Sequence, residues 1–304
     1  MDITALVNKM VVFLVLMIVG YLGARRGMLN REFTRAASAL VLNVFMSCAI
    51  INSVLTVDME LSLAELGQTF LVICLSQLIC YIVAALGVWP TRLGPDQKPV
   101  FELLAAVTNS MFIALPVVDS LFGAQAVFYV SLSCLPFNLL LYTYGIWRMM
   151  SGKGKLRVKD MFTVPMIATI LSLLIFLLKL PVPQMLRGLI ASTAGASMPM
   201  SMIVIGATLG SVSLLDAFRK PSLYAVSALR LLVAPLLTWL VCRMLTTDPV
   251  LLMTCVIISG SPSGVLVTVL CVQYGKDAVY SAEGTLQNTA LSLLTIPLLV
   301  WLLG

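Results

Sequence analysis

The sequence predicts an all-α integral membrane protein of ten transmembrane helices, and three observations support this fold class. Hydrophobic residues make up 60% of the 304 positions and charged residues only 11%, whereas a soluble domain carries about a quarter charged residues. The apolar residues lie in long stretches separated by charged or Pro/Gly-containing segments. Because a membrane-spanning helix needs roughly 20 such residues, ten spans use most of the chain and leave only short loops.

The apolar stretches fix the approximate position of each span. They lie near residues 3–24, 33–55, 67–89, 99–121, 124–148, 160–180, 184–210, 220–243, 249–273 and 277–302. Most of the 19 Lys and Arg residues follow odd-numbered spans, and such loops face the cytoplasm. We therefore expect a multi-pass protein of the plasma membrane, the inner membrane in a bacterium, with both termini extracytoplasmic.

Several functional classes are excluded by residues that the sequence lacks. It contains no histidine, which removes Ser-His-Asp catalysis and histidine metal sites. No GxxxxGK[ST] motif is present, so no ATP-hydrolysing module is predicted. The seven cysteines show no CxxC spacing and are interpreted as small core residues. We expect no metal, no cofactor and no nucleic-acid partner. The net charge of +6 arises mostly from the Lys and Arg residues of the cytoplasmic loops beside the lipid bilayer.

A basic segment divides the spans into two groups of five. We predict a first repeat at 1–148, a cytoplasmic linker at 149–159 and a second repeat at 160–304. An odd number of spans per repeat inverts the second repeat relative to the first, as in many secondary transporters. The segments 122–128 (FGAQAVF) and 274–280 (YGKDAVY) resemble each other and follow the fourth span of each repeat.

The fourth span of each repeat contains residues that interrupt a helix. Asn109-Ser110 and Pro116 lie in span 4, and the segment 259–264 (SGSPSG) lies at the middle of span 9. Freed backbone groups at this depth are tolerated only where they face protein or a water-filled cavity. Opposed half-helix N-termini with nearby polar side chains suit a carboxylate. The alternative is two ordinary kinks whose serines bond to their own helices.

Charged and polar residues inside other spans leave further alternatives open. Arg230 in span 8 is either a fixed cation beside the substrate or a structural partner for backbone carbonyls or an acidic side chain. Glu102, Asp119 and Glu283 carry a coupling proton if they are buried, or are solvated at the span ends. Asn43 and Ser47 share a face of span 2, and Ser201 is their counterpart in span 7. Asn138, Gln287 and Asn288 either hydrogen-bond the freed backbone of the neighbouring crossover helices or form ordinary interhelical hydrogen bonds, and we favour the second interpretation.

Short motifs follow one another in a fixed order over nearly the whole chain. These motifs run through Gly20-Tyr21 to Gly27, Leu40 to Asn43, Asn109 to Pro116, Phe122-Gly123, Met198-Pro199 to Gly206, Arg230 to Pro235, Ser261 to Gly264 and Leu291 to Pro297. In these motifs the sequence resembles the auxin efflux carrier family. The resemblance implies two inverted five-helix repeats with crossed helices 4 and 9, a transport domain that moves against a scaffold, and a homodimer.

The resemblance also implies positions for the site. Asn109, Pro116 and Pro262 match the family's crossover, and helices 2 and 7 contribute from the scaffold side. One departure is that Phe45-Met46-Ser47 stands where members usually have Leu-Pro, which leaves open whether helix 2 is broken. The predicted substrate-binding set is Asn43, Ser47, Asn109, Ser110, Pro116, Ser201, Arg230, Ser261, Pro262, Ser263 and Gly264.

These observations predict a secondary transporter rather than an enzyme. The expected substrate is a small organic anion, a mono- or dicarboxylate resembling auxin, malonate or malate, carried by alternating access. The alternative is a channel or a non-transporting sensor built on a carrier fold. An intramembrane enzyme is disfavoured, because a Ser-His dyad is impossible without histidine.

Overall fold

A computed structural model describes residues 3–57, 62–150, 162–210 and 217–304. Within those ranges the secondary structure is helical, apart from one isolated bridge between two extended residues. The all-helical prediction is therefore confirmed for the described residues. The linker predicted at 149–159 lies, beyond Met150, outside them.

The described residues form twelve helical segments, labelled here α1 to α10 with α4 and α9 each in two parts. Those before the linker are α1 (Ile3–Arg25), α2 (Arg31–Leu40, Val41–Met46 and Ser47–Thr56), α3 (Leu63–Val88), α4a (Gln97–Ala106), α4b (Ser110–Ala114 and Leu115–Phe122) and α5 (Ala124–Leu140, Leu141–Gly145 and Ile146–Met149). Those after it are α6 (Val164–Leu178), α7 (Gln184–Ala194 and Ser197–Gly210), α8 (Pro221–Ala228, Leu229–Val233 and Ala234–Cys242), α9a (Pro249–Gly260), α9b (Leu266–Gln273) and α10 (Ala278–Leu303).

Six of these helices are long and apolar enough to cross a membrane. They span 22 to 27 residues and correspond to α2, α3, α5, α7, α8 and α10. Four shorter apolar helices cover Val11–Arg25, Ser110–Phe122, Val164–Leu178 and Pro249–Gly260. Large apolar side chains remain exposed on α1, α6 and α7, which is the pattern of helices that face lipid. The chain is therefore a multi-pass membrane protein.

π-helical turns interrupt α2, α5 and α8 without ending them. They lie at Val41–Met46, Leu141–Gly145 and Leu229–Val233, and such turns are frequent at functional positions. Helix α2 consequently continues through Met46-Ser47. The question left open by the missing Leu-Pro pair is answered: α2 is distorted at this place but not broken.

The chain divides into two compact units, which draw their segments from both predicted repeats. Unit 1 comprises residues 1–67, 111–135 and 162–212, and unit 2 comprises residues 68–110, 136–161 and 213–304. The boundaries of the compact units therefore differ from those of the predicted sequence repeats.

Unit 1 is built around the close approach of α1 and α7. A Cβ atom placed on Gly206 would lie 1.9 Å from the Met17 carbonyl oxygen, and one on Gly20 would lie 2.0 Å from the Ile203 carbonyl oxygen. Only glycine permits two helices to pack with their backbones in such contact. Here α2 packs against α6 and α7.

Unit 2 holds α3 and α8 side by side in opposite directions. Gly87 faces Leu229, while the Gln68 carboxamide near the other end of α3 donates to the Leu245 carbonyl oxygen at 2.9 Å. Its apolar core is formed by side chains of α4a, α8, α9b and α10, including Phe101, Leu104, Leu223, Val226, Val267 and Tyr280. This packing places α4a, the interruption that follows it and both parts of α9 within one unit.

Two glycines at matching places in the predicted repeats share a positive φ angle. Gly123 follows α4b and has φ 70°, and Gly275 follows α9b and has φ 64°. Both values lie in the left-handed region that favours glycine. The similarity between 122–128 and 274–280 thus extends from residue type to backbone geometry.

Candidate functional site

The candidate functional site is built around two helix interruptions in unit 2. Helix α4 is interrupted at residues 107–109 and helix α9 at residues 261–264, and we call these segments the paired breaks. The Asn109 amide donates to the Pro262 carbonyl oxygen at 2.8 Å, and the Gly264 amide donates to the Val107 carbonyl oxygen at 3.0 Å. The two breaks therefore satisfy part of each other's freed backbone, as the interior of a membrane protein requires.

Proline and glycine explain the break in α9. Ser261 is extended, with φ −70° and ψ 148°, as expected of a residue that precedes proline. A Cβ on Gly264 would lie 3.3 Å from the Thr108 carbonyl oxygen, so a side chain at this position would press against the opposite break. The short segment from Ser261 to Gly264 thus ends α9a and allows the break in α4 to pack closely against it.

The break in α4 lies earlier than its proline. Helix α4a ends at Ala106 and α4b begins at Ser110, while Pro116 sits near the start of the α-helical part of α4b, within unit 1. The sequence correctly locates the interruption at Asn109-Ser110, but Pro116 is not part of it. Short polar side chains compete with helical backbone bonds, and here the Thr108 and Ser110 hydroxyl oxygens lie 2.5 Å apart.

Arg230 connects the two broken helices. Its Nε donates to the Ser261 carbonyl oxygen at 2.7 Å, and its Nη1 donates to the carbonyl oxygens of Ala105 and Ala106, both at 2.9 Å. The side chain is fully buried, and the residue lies in the π-helical turn of α8. Of the two alternatives for Arg230, the structure places it on backbone carbonyls.

A second polar chain secures the break in α9. The Ser263 hydroxyl donates to the Leu104 carbonyl oxygen at 2.6 Å and accepts from Asn288 Nδ2 at 2.5 Å. Asn288 in turn accepts from the Ser227 hydroxyl at 2.6 Å. The interpretation of Asn288 as an interhelical hydrogen-bonding residue is confirmed. Ser227 was not predicted, although its position one turn before Arg230 on α8 is a usable signal.

The remaining polar groups at the paired breaks differ in their availability. The Ser261 hydroxyl bonds back to the Ile257 carbonyl oxygen of its own helix at 2.7 Å, as the alternative interpretation of this serine expected. The Asn109 carboxamide is 9% exposed and forms no hydrogen bond with the part of the chain that the structure describes. It is therefore the side chain at the breaks with free donors and a free acceptor.

Four predicted site residues lie in unit 1. These are Asn43, Ser47, Pro116 and Ser201. Ser47 and Ser201 bond to carbonyl oxygens of their own helices, those of Leu42 and Ser197. Asn43 is exposed within the π-helical turn of α2. A contribution of these residues to a substrate site stays a prediction.

The three acidic residues considered for proton coupling have different surroundings. Glu102 is 1% exposed and is paired with Arg148 and hydrogen-bonded by the Tyr144 hydroxyl. Glu283 is 8% exposed and forms an ion pair with Lys220 at 2.5 Å. Asp119 is exposed near the end of α4b. Two of the three are thus buried beside a basic partner rather than solvated.

Apolar helices that enclose paired interruptions and a buried arginine define an integral membrane protein with an internal polar site. The chain belongs to the membrane transport protein family, which it matches over residues 5–164 and 153–300. This is the family of the auxin efflux carriers, so the resemblance identified from the motifs is confirmed. The chain is also 28% identical, over 297 residues, to an uncharacterized transporter of Methanothermobacter thermautotrophicus, with 94% of each chain covered. The protein is therefore a membrane transporter.

Proposed function

We propose that this transporter is a secondary carrier for a small organic anion, a mono- or dicarboxylate, with its binding site at the paired breaks. The observation that carries the proposal is the Asn109 carboxamide, which has no hydrogen-bond partner among the described residues although it lies where two helices are interrupted. The side chain is 9% exposed, so a ligand can reach its amide. A ligand with acceptor oxygens would satisfy it.

The distribution of partial charge favours an anion over a cation. The carbonyl ends of α4a and α9a carry partial negative charge, and Arg230 already neutralises them. The N-terminal ends of α4b and α9b, which begin at Ser110 and Leu266, carry partial positive charge. Because Arg230 offsets the negative ends and no carboxylate of the described residues pairs with it, a carboxylate is the ligand that this arrangement suits.

Transport by alternating access requires two bodies that move relative to each other. We propose that the two compact units of the chain serve as these bodies. One unit comprises residues 1–67, 111–135 and 162–212, and the other comprises the remainder. We further propose a homodimer, which the family resemblance implies.

We also propose that the chain crosses the plasma membrane ten times as two inverted repeats. The six long helices and the four shorter apolar helices together equal the ten predicted spans. The matching left-handed glycines after α4b and α9b support the repeat.

Contacts within unit 2 support the proposed orientation, with both termini extracytoplasmic. Three ion pairs join segments assigned to the cytoplasmic side, namely Lys276 with Asp96, Lys220 with Glu283 and Arg148 with Glu102. The contact between Gln68 and Leu245 joins segments assigned to the opposite side.

A flux assay with purified protein in liposomes tests the function. We expect saturable uptake of a mono- or dicarboxylate, and we expect Asn109→Ala to reduce this uptake by about tenfold or more, since it removes hydrogen bonds to a charged ligand. The matched control is Asn52→Ala, in the last α-helical part of α2 (Ser47–Thr56). This variant should retain wild-type uptake.

Two results would contradict this proposal. Folded Asn109→Ala protein that transports its substrate at the wild-type rate would exclude the paired breaks as the site. Unitary currents in a planar bilayer, far above the turnover of a carrier, would indicate a channel instead.

A further inference from the structure

Three carbonyl oxygens from two separate helix ends converge on one side chain. Ala105 and Ala106 contribute the last carbonyls of α4a, and Ser261 contributes the carbonyl that follows α9a. All three bond to the Arg230 guanidinium at 2.7 to 2.9 Å. Such a group of main-chain oxygens, drawn from interrupted helices, is the kind of ligand set that binds a monovalent cation in carriers of this architecture.

The charge at these helix ends also matches a monovalent cation. The carbonyl end of a helix carries roughly half a negative charge, so two ends together approximate one unit. Among the described residues no carboxylate pairs with Arg230, and its side chain is fully buried. The helix ends are therefore the groups that balance its charge.

We propose that Arg230 occupies a built-in monovalent-cation site with its guanidinium, so that this carrier needs no sodium or other alkali cation to assemble its substrate site. The inference rests on the proposed carrier function and specifies how that function is energised. A covalently attached cation cannot dissociate during the transport cycle. Its charge therefore stays with the paired breaks, and coupling to an alkali-cation gradient through this site is excluded.

The surroundings of the third guanidinium nitrogen leave the site able to accept a free ion when the side chain is shortened. Arg230 Nη2 forms no hydrogen bond within the described part of the chain. Removal of the side chain would leave the three carbonyl oxygens without their arginine donor.

The test is the thermal stability of purified protein in sodium, potassium or choline chloride at equal concentration, and in a low, non-denaturing concentration of guanidinium. Wild-type stability should be the same in the three salts. Arg230→Ala should lower the melting temperature by roughly 6 to 12 °C in choline, because three buried carbonyls lose their donors. Sodium or guanidinium should restore most of this loss, whereas choline is too large to enter.

Leu231→Ala is the matched control, since it opens an apolar cavity at the neighbouring buried residue of α8 without freeing a carbonyl. It should lose stability without any recovery in sodium. If Arg230→Ala does not fold, Arg230→Gln keeps a donor and most of the volume but removes the charge. It should show the same response to small cations.

The readout separates this inference from the proposed function, because it needs no substrate. A wild-type protein that is more stable in sodium than in choline would overturn the inference, as would arginine variants that respond to no small cation. Loss of organic-anion uptake with an intact cation response would instead contradict the proposed function alone.

Discussion

Asn288 shows, at the scale of single residues, how one side chain holds a break in position. Its carboxamide donates to Ser263 and accepts from Ser227, so it joins α10 to both α9 and α8. All three residues are buried, with exposures of 0 to 5%. Loss of this amide would leave Ser263 bonded to Leu104 alone and Ser227 bonded only to Leu223 of its own helix, among the described residues.

We predict that Asn288→Ala destabilises the protein by about 1 to 3 kcal/mol, the range for buried polar groups that lose a partner. Uptake should fall as well, because Ser263 lies in the paired breaks. Melting temperature and liposome flux measure the two effects. Thr289→Val is the control, since Thr289 bonds only to the Thr285 carbonyl oxygen of its own helix. Equal effects of the two substitutions would contradict the role of Asn288.

The same residues show what could be predicted from the sequence. Arg230 was identifiable, because a basic residue within an apolar span is conspicuous. Its partners were not, because they are backbone carbonyls, which every residue carries. Likewise the hydroxyl of Ser263 was expected at the site, but its engagement by Leu104 and Asn288 depends on tertiary contacts.

Among the secondary-structure elements, α1 and α7 have the most demanding contact. Gly206 and Gly210 of α7 face the carbonyl oxygens of Met17 and Tyr21 on α1. The partners advance along both helices in the same direction, so the two helices run parallel. Within unit 1 this contact depends on the absence of side chains at the glycines.

We predict that Gly206→Ala destabilises the protein by roughly 1 to 3 kcal/mol or more, since its Cβ would lie 1.9 Å from a backbone oxygen. Gly188→Ala, also within α7, meets nothing within 4 Å. It should be neutral or stabilising by up to about 1 kcal/mol, as alanine favours the helix. Thermal unfolding of both variants in detergent checks the contrast, and similar melting temperatures would contradict the close packing.

Elements differ in how far their sequence predicts them. Hydropathy located the six described helices that are long and apolar enough to cross a membrane, and Pro262 with its flanking glycines located the break in α9. The π-helical turns in α2, α5 and α8 were not predicted, because one additional residue in a turn leaves no compositional signal. The break in α4 was located by its polar residues but was wrongly extended to Pro116, which helix α4b accommodates near the start of its α-helical part.

For the whole molecule, the distribution of basic residues makes a prediction about sidedness. Arg92 precedes α4a and Thr247 precedes α9a, and both are exposed. We expect Arg92→Cys to react with a membrane-impermeant maleimide only in inverted vesicles, and Thr247→Cys only in spheroplasts. Both should react after permeabilisation, which serves as the control. Labelling of both variants from one side would contradict the proposed orientation.

The pairing of the two breaks through main-chain atoms has a consequence for the diversity of this protein's relatives. The hydrogen bonds between Val107, Asn109, Pro262 and Gly264 use no side-chain atoms. Side chains around this frame can therefore be exchanged without dismantling it, provided that a cation still satisfies the carbonyls. Substrate preference can then change while the backbone frame of the site stays the same. Relatives that carry different substrates can therefore share one internal geometry.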